Sequence, residues 1–161
     1  MDVREERDRD HDGVRALIET AFGQSTEADL VDALRLEGDA EISLVAIDGG
    51  EIVGHVMLSK LTAPVRALGL APVSVLPSQQ GKGIGATLIQ EGVRQAKAKG
   101  WEAVFVVGAP EYYSRFGFRA DIPKAFASPY AVPYFMALEL VEGVLNGQSG
   151  EIAYAPAFAA V

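Results

Sequence analysis

Cysteine is missing from all 161 residues, and histidine occurs only as His11 and His55. Without cysteine there is no disulfide, no thiolate metal site and no sulfur nucleophile, and two histidines so far apart make a protein zinc site unexpected. Long apolar runs are missing as well: no stretch approaches the ~20 residues of a membrane-spanning helix. Met1 to Asp10 is charged where a secretory signal is apolar, so the cytoplasm is the expected address and no membrane partner is expected. Positive charge is scarce, with 14 Lys and Arg against 22 Asp and Glu, a formal net charge of -8. That balance disfavours DNA and RNA as partners, because affinity for their backbones rests on clustered Lys and Arg. A phosphorylated ligand has to be met by a local feature that overcomes the overall field. What the chain has in quantity is apolar residues, 49% of the total. Over this length they are enough for a core, and one domain over residues 1–161 is the expected organisation.

Val3 to Glu6 reads as a short first strand. Val14, Leu17, Ile18, Ala21 and Phe22 recur at the period of an amphipathic helix, with Asp10 or Asp12 placed to cap its start and Gly23 just past its end. Thr26-Glu27-Ala28-Asp29 has capping-box spacing ahead of Leu30, Val31 and Leu34, which predicts a second helix to about Gly38. Ile42 to Ile47 and Ile52 to Leu58 flank Asp48-Gly49-Gly50-Glu51, a hairpin turn. Leu68 to Leu76 offers a further strand, where Pro72 marks an irregular or edge position because it cannot donate to a ladder. Ile84, Leu88, Ile89, Val93 and Ala96 form one helical face, and Gly100 is placed as its C-terminal cap. Ala103 to Val107 has the continuous apolar character of a strand buried on both faces. Pro110 to Phe116 suits a short helix, and Tyr134 to Leu140 a last long strand. The Ala-rich tail from Ile152 to Val161 is expected to pack on the domain or on the partner subunit of a homodimer.

Three glycines alternate in Gln80-Gly81-Lys82-Gly83-Ile84-Gly85-Ala86, between a strand and a helix. One reading is a tight turn that needs positive φ. The other is an anion cradle, in which the amides of Gly81, Gly83, Gly85 and Ala86 converge on a phosphate at the positive end of the helix dipole and Lys82 adds a local charge. A Walker A loop is excluded, since Leu76 and Gly83 stand where it requires Gly and Ser or Thr. Gly81 to Ala86 formally satisfies G-x-G-x-x-G/A. However, Pro77 to Gln80 separate it from its strand, and Val104 to Gly108 supplies no acid for a ribose, so a dinucleotide protein is the weaker alternative.

Gln80 to Gly85 matches the Q/R-x-x-G-x-G/A signature of the GNAT superfamily of acyl-CoA-dependent N-acetyltransferases, and Tyr113-Ser114-Arg115-Phe116-Gly117-Phe118 is similar to its Y-x-x-x-G-F segment. The whole chain follows the family order, and Tyr154 to Phe158 resembles the Tyr-x-Pro-Ala-Phe ending of a branch of small bacterial acetyltransferases. The resemblance implies a fold of mixed α/β (α+β) class: a mixed, mostly antiparallel sheet flanked by helices, with splayed central strands. It also implies acetyl-CoA as acetyl donor, with the diphosphate on Gln80, Gly81, Lys82, Gly83, Gly85 and Ala86. The pantetheine arm is then expected beside Val73, Ser74 and Val75, and Tyr113 is expected to donate its hydroxyl to the leaving sulfur.

Acetyl transfer needs a neutral amine. An alkyl ammonium with a pKa of about 10.4 is neutral in roughly one of several thousand molecules at pH 7, so a base or a water path is required. The glutamate that some family members carry on the motif strand has no counterpart between Leu68 and Leu76. Glu111, His55, Glu27 and Asp29 are candidates by chemistry only. The acceptor implied is a small-molecule or peptide amine that enters past Phe22 to Thr26, and the acidity of the chain suits a cationic one. A noncatalytic acyl-CoA-binding module on the same fold is the other alternative.

Overall fold

A computed structural model of the chain describes residues 1–126 and 134–160. Strand β1 (Asp2–Glu5) leads into helices α1 (His11–Phe22) and α2 (Thr26–Leu36), followed by strands β2 (Ala40–Asp48), β3 (Glu51–Thr62) and β4 (Ala67–Val75). Helix α3 (Ile84–Ala98), strand β5 (Ala103–Val107), the short helix α4 (Pro110–Tyr113), and strands β6 (Phe135–Glu139) and β7 (Ala153–Tyr154) complete the order. The sheet runs β1-β2-β3-β4-β5-β6, with β7 beside the end of β3. Every pairing of named strands is antiparallel except that of β4 with β5. This is the mixed, mostly antiparallel sheet that the resemblance implies, and not the doubly wound parallel sheet of a dinucleotide fold.

The alternation of side chains along β2 and β3 divides the core between two faces. Val56 and Leu58 pack with Leu88 and Ile89 of α3 on one face, while Val45 and Met57 meet Val14, Ile18 and Leu34 of α1 and α2 on the other. Each of these buried side chains contributes roughly 2 kcal/mol by leaving water. Ile152 is wholly buried, and Ala157 and Phe158 pack against the α1–α2 cluster, so the described part of the tail folds onto its own chain. Val161, the last residue of the tail as read from sequence, lies outside the described residues.

Asp10 holds the N-cap position of α1 as expected, whereas the capping box at Thr26 is corrected by charge. Thr26 is the first residue of α2 rather than its cap, and no side chain bonds the helix start. The Asp29 carboxylate is drawn instead to Arg15, 2.8 Å away. Asp10 does precede α1, but its carboxylate takes Arg4 at 2.7 Å and the Arg7 N–H at 2.8 Å. At Asp29 an ion pair within reach outcompetes the neutral amides of the helix start.

Pro72 lies in an interior strand, yet an irregular one. Val56 and Leu58 of β3 pair with Val73 and Leu70, leaving Ala71 and Pro72 opposite Met57 alone, which is a β-bulge. Beyond the bulge β4 and β5 part. They pair only from Ala67–Ala103 to Gly69–Phe105; from there β4 keeps to β3, and Val106 and Val107 keep to β6. The wedge between them borders the candidate site.

Candidate active site

One wall of the wedge is bare backbone. The Leu76 N–H donates to the Val53 carbonyl at 3.0 Å, and Ser74 pairs with His55, so alternate residues of β4 are bonded to β3. The peptide groups of Val73 and Val75 therefore face the side that β5 has left. From that side the Gln80 side chain reaches the Val75 carbonyl at 3.4 Å. The Ser74 side chain points to the opposite face, buried, with its hydroxyl lacking a partner among the described residues.

After one 3-10 turn (Pro77–Gln79), the chain enters α3 through Gly81 at φ 79° and Gly83 at φ 80°. No atom lies within 4 Å of where a β-carbon would sit at either glycine, so conformation rather than space demands glycine there. The first bond that closes α3 runs from the Thr87 N–H to the Gly83 carbonyl at 3.0 Å. Among the described residues, no acceptor takes the amides of Gly81, Gly83, Ile84, Gly85 or Ala86. Five open N–H groups at the positive end of a 15-residue helix make an anion-receptive surface.

These amides line a cleft of about 350 Å³ together with Val75, Tyr112 and Arg115. Of the residues singled out in the sequence, Val75, Gln80, Gly81, Gly83, Gly85 and Ala86 come together there. Lys82 is exposed beside it, its ammonium 3.1 Å from the Gln79 amide oxygen. Tyr113 stands deeper, 8% exposed, its ring edge-on to Phe118 at 5.8 Å. The hydroxyl has no hydrogen bond with the described residues, and burial pushes its pKa up to about 12, helped by Tyr112. Gly108, where β5 ends, is the seat of that ring: a β-carbon there would lie 2.3 Å from Tyr113 Cε2. Tyr112 and Arg115 were not singled out as site residues. Their i, i+3 spacing within Tyr-Tyr-Ser-Arg is the signal that puts them on one side of a helical turn.

No carboxylate or histidine lines this cleft among the described residues. Glu111 is exposed on α4, Glu27 holds Gln24 and Asp29 holds Arg15. His55 is wholly buried, its Nε2 2.8 Å from Ser43 Oγ and 3.2 Å from Glu6 Oε2. Arg35 donates to the same Glu6 carboxylate at 2.9 Å. Burial holds the His55 pKa below its ordinary 6.5, against a weaker pull from Glu6. Burial also pushes Glu6 up, but hydrogen bonds from His55 and Ser43 and the charge of Arg35 outweigh it and leave Glu6 lowered.

Both shifts carry the same sign. The unfolded chain takes up protons at 6.5 and 4.5 that the folded pair resists, so stability falls as pH drops through that range. Glu6→Gln is expected to cost about 2 kcal/mol at pH 7 and to steepen the decline just below pH 6.5, because His55 loses the partner that holds its pKa up, while the share Glu6 itself loses below pH 4.5 disappears, both read from urea unfolding at each pH.

A mixed sheet parted beside an open helix start defines an acyltransferase of the class that the sequence resembles. A family model for the acetyltransferase (GNAT) domain matches residues 2–120, and the chain belongs to that family. YhbS of Escherichia coli, an uncharacterized N-acetyltransferase, is 32% identical over 160 residues, 96% of each chain. YjhQ of the K12 strain, also an uncharacterized N-acetyltransferase, is 36% identical over 133 residues, 77% of this chain and 73% of that one. The crystal structure of YhbS in complex with CoA superposes with a TM-score of 0.91 at 31% identity over 98% of this chain and 91% of that one. A GNAT acetyltransferase of Brucella melitensis in complex with acetyl-CoA gives 0.84 at 34% identity, over 98% of this chain and 97% of that one.

Proposed function

We propose that this acetyltransferase moves the acetyl group of acetyl-CoA onto a primary amine of a small molecule or peptide, directly, within a ternary complex. The observation that carries the reading is the set of five unpaired amides of Gly81 and Gly83 to Ala86 beside the open edge of β4. Two relatives at 31% and 34% identity hold CoA and acetyl-CoA, which supports it. In this reading Gln80, Gly81, Lys82, Gly83, Gly85 and Ala86 bind the diphosphate, and the edge of Val73, Ser74 and Val75 takes the pantetheine amides as a further strand would.

The thioester supplies an activated acetyl group. The Val73 or Val75 N–H, already free and fixed by the sheet, polarises its carbonyl and stabilises the charge that develops on oxygen by roughly 3 kcal/mol. As the amine nitrogen bonds to carbon and the C–S bond breaks, the Tyr113 hydroxyl gives its proton to sulfur and recovers one from the acylated nitrogen. With no acid or histidine lining the cleft among the described residues, the ammonium loses its first proton to water. The acceptor approaches from the α1–α2 side, past Phe22, which is 41% exposed.

Acetyl-CoA at about 100 times its Kd is expected to stabilise the fold by about 2.7 kcal/mol. For a chain of this size that is a rise in melting temperature of roughly 5–10 °C. A panel of primary amines, followed by release of free thiol, tests the transfer step. A thermal shift without thiol release for any amine points to a noncatalytic binding module, and no shift at all overturns the cofactor assignment.

A further inference from the structure

Arg115 is placed unlike most arginines of the fold. Arg4 holds Asp10, Arg15 holds Asp29 and Asp32, Arg35 holds Glu6, Arg94 holds Glu91 and Arg119 holds Asp121. Arg115, among the described residues, has no carboxylate within 4.0 Å, in a chain of net charge -8. Its guanidinium lies 4.6 Å from the centre of the Tyr112 ring and 5.5 Å from that of Phe116. Its Nε donates to the Tyr112 carbonyl at 3.3 Å. Stacking and that bond orient the plane and leave the two terminal NH₂ groups as an unengaged fork, the geometry that recognises a phosphate by two parallel bonds.

Arg115 lines the same cleft as the five open amides, on the wall contributed by the segment after α4 rather than by α3. A diphosphate seated on the helix start has its charge met there by amides and dipole. Coenzyme A carries a further phosphate, the monoester on its ribose, a compact dianion with three free oxygens. We propose that Arg115 recognises this phosphomonoester, so that the enzyme distinguishes CoA from dephospho-CoA. This rests on the acetyl-CoA reading above and adds to it the part of the donor that sets cofactor choice.

Calorimetric titration of CoA and dephospho-CoA into the wild type, Arg115→Gln and Lys82→Gln tests the assignment. The wild type is expected to bind CoA roughly 10–30-fold more tightly, as an exposed charge-assisted pair supplies, and the ratio shrinks in 0.5 M salt. In Arg115→Gln the two affinities are expected to fall within about twofold of each other, because CoA weakens while dephospho-CoA does not. Lys82→Gln is expected to keep the ratio. Equal affinities in the wild type, a ratio that survives in Arg115→Gln, or an equal loss for both ligands overturns the proposal and leaves the cofactor reading standing. If the wild type binds neither ligand, the acetyl-CoA reading itself fails.

Discussion

Replacing Tyr113 by Phe is expected to slow acetyl transfer by 100-fold or more while leaving the Kd for acetyl-CoA within about twofold. Loss of a positioned acid costs 10²–10⁴ in rate, and the ring that packs against Gly108 and Phe118 is retained. A phenol pushed up to about 12 by burial stays protonated at every pH in ordinary use, so it enters the reaction as the donor and does not take the first proton from the ammonium. An alkaline fall in rate with a midpoint below about 11 must therefore belong to another group. Gly108→Ala reaches the same function by another route: its methyl group would lie 2.3 Å from the Tyr113 ring and must displace it, so turnover should fall with the hydroxyl still present. Tyr112→Phe is the contrast. Its hydroxyl faces Gly85 across the cleft, and its loss should affect affinity by a few-fold and turnover little. Steady-state rates with the best amine from the panel separate these outcomes. A Tyr113→Phe enzyme as fast as the wild type removes Tyr113 from the chemistry.

The elements that depend on local signals were legible in the sequence. The β2–β3 hairpin turns at Gly49-Gly50 as Asp-Gly-Gly-Glu implies, and α3 follows its apolar stripe to Gly100. Most of the glycine-loop residues were legible too, because the pattern is contiguous and its φ values need only glycine. What depends on partners from distant segments was not. The wedge forms because β4 leaves β5 after three paired residues, and nothing in either strand states that the other departs. The Glu6, Arg35, Ser43 and His55 cluster joins residues from β2, β3, α2 and the segment after β1, so the sequence favours a structural role for His55 over a base but does not name the partners that hold it. The capping box at Thr26 was misread for a related reason: Asp29 answers to Arg15, which is 14 positions away. Local rules hold until a long-range charge offers a better bond.

Gly85→Leu should abolish acetyl-CoA binding, with at least a 100-fold rise in Kd, in a protein that melts no lower than the wild type. Gly85 lies in the first turn of α3 with ordinary helical φ, so a side chain causes no backbone strain, and Leu is a better helix former than Gly by about 0.8 kcal/mol. Its β-carbon, however, would point toward the Tyr112 hydroxyl, 3.2 Å away, and so into the cleft. The remaining atoms of leucine then occupy the space in front of the Gly85 and Ala86 amides. Two charge-assisted bonds lost together are worth roughly 3–6 kcal/mol, and each 1.4 kcal/mol is tenfold in Kd. Gly83→Ala separates this effect from strain: with φ at 80° and open space around it, that change costs stability, about 1–2 kcal/mol, and affects affinity only as far as the loop relaxes. Affinity lost without stability in one variant, and stability lost with less affinity in the other, is the pattern that a diphosphate resting on the start of α3 requires. If Gly85→Leu binds acetyl-CoA as tightly as the wild type, the diphosphate lies elsewhere, and the open amides of this loop have a different purpose.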